Sequence, residues 1–75
     1  MLNPDDPIAQ TGAYIHDGVK LYRVLAYESV GPRVKVEDCA DFDTNGTPKQ
    51  MWLSAKTVER AITLVKAAPP RKANV

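Results

Sequence analysis

The sequence predicts a mainly β fold with one C-terminal helix, built as a small, strongly bent sheet or barrel of three to five short strands. Three observations carry this expectation. The dipeptides Asp17-Gly18 and Asn45-Gly46 each adjoin stretches that read as strands, as hairpin turns do. Between them, Arg33 to Asp38 alternates Val34 and Val36 with Arg33, Lys35 and Glu37, the period-two pattern of a strand with one wet face. After Leu53-Ser54 the apolar spacing turns helical.

Taken in order, residues 1–11 include Asn3-Pro4-Asp5-Asp6-Pro7 and read as a flexible N-terminal arm. The single domain is expected over 12–68. Ala13 to His16 forms the first predicted strand, and the apolar, aromatic run Val19 to Tyr27 forms the second. A two-residue Asp17-Gly18 loop of type I′ needs positive φ at both positions, and it would set Tyr14 opposite Leu21 and His16 opposite Val19. Ser29 to Pro32 makes the next turn, followed by the valine-alternating strand, the Asn45-Gly46 hairpin and a short strand over Gln50 to Leu53. Ser54 is a suitable N-cap, and Leu53 with Val58 has the spacing of a hydrophobic staple. The helix is expected over about 54–67, with Val58, Ala61, Ile62 and Val65 as its apolar stripe, Leu64 beside it and Lys66 at the negative end of its dipole. Pro69 stops it, and 69–75 reads as a basic disordered tail.

The glycine-punctuated stretch Gly12 to Leu53, with short strands and an aromatic residue near its start, resembles the SH3-like and KOW-like small barrels at the level of fold. Three or four short strands need either a strongly bent barrel with the helix plugging one end or a meander with the helix on one face. The resemblance is to the barrel and brings no family-specific motif with it.

Composition narrows the function classes. At 75 residues, with 44% hydrophobic and 25% charged, the chain has room for one core of limited stability. Cys39 is the sole cysteine and His16 the sole histidine, so neither an intrachain disulfide nor a Cys/His zinc site is expected. The unpaired thiol suits a reducing compartment, and the first twenty residues hold Asp5, Asp6 and Asp17 with no apolar run. A cytoplasmic setting without membrane association is therefore expected. The net charge of +1 conceals an acidic segment of Glu37, Asp38, Asp41 and Asp43 between two basic ones.

Asp41-Phe42-Asp43-Thr44-Asn45-Gly46 matches the first half of a calcium loop of the EF-hand type, in which oxygens at alternate positions converge on a hard cation. The second half fails, with Lys49 at the ninth position and Trp52 where a bidentate glutamate belongs. An acidic hairpin loop is the preferred reading, and neither a tight metal nor a cofactor is expected. Cys39, beside Glu37, Asp38 and Asp41, has its thiolate suppressed, and no nucleophile, phosphate loop or dinucleotide motif stands out.

A face of Tyr14, Lys20, Tyr22, Arg33 and Lys35 combines rings with cations, as single-strand-binding barrels do. The plainer alternative is half-buried tyrosines beside solvated cations. Trp52 reads as the main core aromatic, with an interface anchor as the alternative. The functional expectation is a non-catalytic adaptor or regulatory module that binds another protein or a second copy of itself. The alternative is a small nucleic-acid-binding barrel.

Overall fold

The computed structural model describes residues 2–68, and the basic segment 69–75 lies outside the described residues. Five antiparallel strands form one sheet: β1 (Tyr14–His16), β2 (Leu21–Glu28), β3 (Arg33–Phe42), β4 (Pro48–Ser54) and β5 (Thr63–Lys66), with α1 (Ala55–Ala61) before the last. Their order is β4-β3-β2-β1-β5, so β1 to β4 run as a meander and β5 returns to the other side of β1. β4 and β5 remain the two edges, and the sheet is not a closed barrel.

Alternation decides which residues face inward. On β3, Val34 and Val36 have no exposure, while Arg33, Lys35 and Glu37 between them lie outside. Val36 pairs with Val24 of β2 and Met51 of β4, and Val34 pairs with Tyr27 and Leu53, so each valine lies between two inward neighbours. Ile15, Tyr22, Val24 and Val58 complete this interior, with Met51, Leu53, Ile62 and Leu64 packed against it. Leu25 is the extra residue where β2 shifts register against β3, and the shift brings Tyr27 back to the inner face.

Three expectations are corrected. The first hairpin pairs His16 with Leu21, Ile15 with Tyr22 and Tyr14 with Arg23. Its loop has four residues, Asp17 to Lys20. Asp17 Oδ1 accepts the amide hydrogens of Val19 (2.8 Å) and Lys20 (2.7 Å), and of the loop residues only Gly18 has positive φ, at 95°. A side-chain acceptor thus replaces the strained type I′ turn and leaves Val19 at 82% exposure. At the second hairpin, Asp43 N–H donates to Thr47 O (2.9 Å) and Gly46 N–H to Asp43 O (3.0 Å). With Gly46 at φ 80°, Thr44-Asn45-Gly46 is a three-residue loop.

The second correction concerns the helix. Ser54 caps it as expected, its Oγ accepting Thr57 N–H at 3.3 Å. It nevertheless ends at Ala61, not near residue 67, and Ile62 is extended. Ile62 to Val65 suits either a helical stripe or a strand with Ile62 and Leu64 inside and Thr63 and Val65 outside. The open edge of β1 decides for the strand, because β5 satisfies its backbone groups.

Third, residues 2–11 lie against the sheet and are not a free arm. Asp6 caps a 3-10 turn, Pro7–Ala9, and Leu2 (2% exposed) and Ala9 (4%) enter the core. Tyr27 Oη donates to Leu2 O at 3.3 Å, tying this segment to β2. A sheet this small cannot cover its own inner face, so the N-terminal segment and α1 cover it.

Val58→Ala removes two fully buried methyl groups and is expected to cost about 2 kcal/mol, lowering the thermal midpoint by roughly 10 °C. Val65→Ala, at a position 58% exposed on β5, is expected to stay within about 0.5 kcal/mol of wild type. Thermal denaturation followed by circular dichroism checks both, and a continuous helix through residue 65 would not give this contrast.

Candidate binding face and the buried carboxylate

The predicted ring-and-cation set divides between two places. Tyr14, Arg33 and Lys35 lie on the outer face of the sheet. Tyr22 turns inward at 5% exposure, and Lys20 stands in the first hairpin loop. The parity of β2 causes the division: Tyr22 and Val24 share the inner face, which leaves the unpredicted Arg23 outside between them.

Trp52, expected in the core, is 40% exposed on the outer side of edge strand β4. It pairs with Lys35, whereas its neighbours Met51 and Leu53 pair with buried Val36 and Val34. The Arg33 guanidinium lies 4.1 Å from the Trp52 ring centroid and the Lys35 ammonium 6.0 Å from it. Glu28 holds Arg33 in this position, with Oε1 accepting from Nε at 3.0 Å and lying 2.9 Å from Nη2. The indole thus sits beside two cations, a favourable cation–π arrangement.

Across the same face a row of residues crosses all five strands: Lys66, Tyr14, Arg23, Glu37 and Gln50. Tyr14, Arg23 and Lys66 line an open cleft of about 270 Å³ with Thr11, Gly12 and Ala67. Lys66 reaches this cleft because β5 shifts register between Leu64 and Lys66, opposite Tyr14 and Ile15. The helical reading of residues 62–66 hid it. A larger open groove of about 500 Å³ separates the N-terminal turn from Leu25 to Tyr27; Asp5 is the only charged residue in its lining.

A polar cluster occupies the other end of the chemistry. Asp38 is the sole buried charged residue among those described, at 1% exposure. It opens a bulge in β3: residues 38–41 stand against Lys49 alone, between the pairs Glu37–Gln50 and Phe42–Pro48. Asp38 Oδ1 accepts Ala40 N–H at 2.9 Å, while Oδ2 has no aligned hydrogen bond and lies 3.2 Å from Lys20 Nζ. The Ala40 amide and Lys20 hold this carboxyl below the usual carboxylate range despite its desolvation, and Lys20 is raised in turn. Beside them, the Tyr22 hydroxyl donates to Asp17 Oδ2 at 3.2 Å, and burial raises the phenol. Lys20 and Tyr22 therefore serve this cluster and not a shared outer face.

The acidic hairpin uses its own oxygens. Asp43 Oδ1 accepts the amides of Asn45 (2.8 Å) and Thr47 (3.0 Å), and Asp41 pairs with Lys49 at 3.5 Å. Among the described residues, no group of three or more His, Cys, Asp or Glu side chains is placed to hold a metal ion. Burial, then Glu37 and Asp38, push the Cys39 thiol up, while His16 Nδ1 accepts Gly18 N–H at 2.8 Å. No described helix is long and apolar enough to cross a membrane.

Comparison with known protein families, with characterised proteins and with solved structures finds no match to this chain.

Because the folded-state pKa of Asp38 is depressed, its stabilisation is complete above the unfolded value near 3.9 and is lost as pH falls through the lower folded value. Asp38→Asn is expected to make acid unfolding less steep below about pH 4. Lys20→Met strands a buried carboxylate, so it is expected to destabilise more at pH 7 than Asp38→Asn, which removes the charge. Urea titrations across pH check both orders.

Proposed function

We propose that this protein is a non-catalytic binding module that recognises another protein through the outer face of its sheet, with Trp52 as the anchor. The observation that carries the proposal is the half-exposed indole beside Arg33 and Lys35 on an edge strand, on the same face as Tyr14 and Arg23. Trp, Tyr and Arg are the residues that most often dominate binding energy at protein interfaces. Here Arg33 is already oriented by Glu28, which reduces the ordering entropy lost on association. A cytoplasmic setting fits the single free thiol.

Binding to single-stranded nucleic acid is the second reading, favoured by the same contact between an exposed ring and two cations. Glu28 and Glu37 on this face weigh against it, since they interrupt a track for phosphates.

Affinity capture from a cell extract, performed with wild type and Trp52→Ala, tests the first reading. A partner retained by wild type and lost from a folded Trp52→Ala protein is the expected outcome. Equal retention by both would remove Trp52 as anchor. Amide shifts of Arg33, Lys35 and Trp52 during titration with a short oligothymidine at low salt, reversed by added salt, would favour the nucleic-acid reading.

A further inference from the structure

The outer face has a charge order that specifies its partner more closely. At one end, Arg23 and Lys66 flank Tyr14 in the open cleft, and neither cation has an ion-pair partner among the described residues. At the other end, Lys35 also lacks an ion pair, while Arg33 is held by Glu28, and both lie against Trp52. Glu37 separates the two ends, opposite Arg23 on β2 and next but one to Lys35 on β3. The order across the face is therefore cationic, acidic, cationic, with an aromatic ring at each cationic end.

We infer that the partner segment is an extended acidic peptide, which deepens and rests on the protein-binding reading above. One carboxylate pairs with Arg23 and Lys66 beside Tyr14, a second meets Lys35, and an apolar side chain beyond Lys35 covers the Trp52 ring. The position opposite Glu37 takes a neutral or basic residue, because a third carboxylate there meets like charge. The Arg23–Lys66 pair is centred on β1 and Lys35 lies on β3, two strands away and two residues along from the Arg23–Glu37 row, about 12 Å at an inter-strand spacing of about 4.8 Å. An extended chain advances about 3.3 Å per residue and alternates its side chains, so the two carboxylates stand roughly four residues apart on one side of it.

The same order separates a peptide from a polyanion. Phosphates recur at every nucleotide and cannot omit the Glu37 position, whereas a peptide can place its charges at the two ends only. It also separates this partner from an apolar one, which would leave Arg23, Lys35 and Lys66 to be desolvated without compensation.

An array of immobilised decapeptides tests the inference. One set carries two glutamates four residues apart with a leucine or tryptophan two residues beyond one of them. Matched sets replace both glutamates by glutamine or by lysine, and a further set places a third glutamate at the centre. Full-length protein is applied at low and at physiological salt, with oligothymidine on the same array. The two-glutamate set is expected to retain protein above the others, and Arg23→Gln/Lys66→Gln is expected to weaken that retention about tenfold while circular dichroism shows an unchanged fold.

Retention that ignores glutamate content but still requires Trp52 would overturn the acidic inference and leave the protein-binding reading standing. Retention on oligothymidine alone, or on no peptide set, would overturn the inference. In the first of those cases the nucleic-acid reading replaces the protein-binding one.

Discussion

Val34 and Val36 lie at the centre of the sheet with no exposure, each fixed in register between β2 and β4. Because a strand alternates strictly, burying these two side chains also determines where Arg33, Lys35 and Glu37 go. A slip of one residue would bring a cation into the core and put the valines in water. The register then carries through to β4, where Met51 and Leu53 follow the valines inward and Trp52 must face out. The exposed indole is thus a consequence of packing two residues on the neighbouring strand, and its contact with Arg33 and Lys35 follows from the same parity.

The interior that enforces this register is thin. Its fully buried residues are mostly valine, alanine and isoleucine, with Tyr22 and Leu2 the larger exceptions. A core of small side chains leaves gaps at the ends of the sheet, and local devices close them. The N-terminal segment contributes Leu2 and Ala9, α1 contributes Val58, and Asp38 fills a bulge where β3 outruns β4. The carboxylate is tolerated there because the Ala40 amide and Lys20 compensate it. The charges that serve the fold gather at Asp17, Lys20 and Asp38, whereas Arg23, Lys35 and Lys66 lie on the outer face without an ion pair among the described residues.

Much of this was legible in the chain itself. The alternation of Arg33 to Asp38, the two glycine turns and the Ser54 cap are local signals, and each marks a real element. The failures lie where local preference leaves two answers. Ile62 to Val65 satisfies both a helical and a strand pattern, and only the unpaired edge of β1 chooses between them. Asp17-Gly18 marks a turn, but the reach of the Asp17 carboxylate to Val19 and Lys20 lengthens the loop and shifts the pairing by two residues. Hydrophobicity argues for burying Trp52, and the parity set by Val34 and Val36 overrides it. Of the predicted face, Tyr14, Arg33 and Lys35 lie together on the outer side. Arg23 followed from the same parity, whereas Lys66 depended on the tertiary pairing of β5.

Since Trp52 is the sole tryptophan, its fluorescence reports the outer face without labelling. Collisional quenching by iodide compared with caesium, at equal ionic strength, measures both its exposure and the local field. A ring on the outer face beside Arg33 and Lys35 predicts ready quenching, stronger for the anion than for the cation. Protection from both ions in the native protein would place the indole in the core and contradict the register on which the proposed binding face depends.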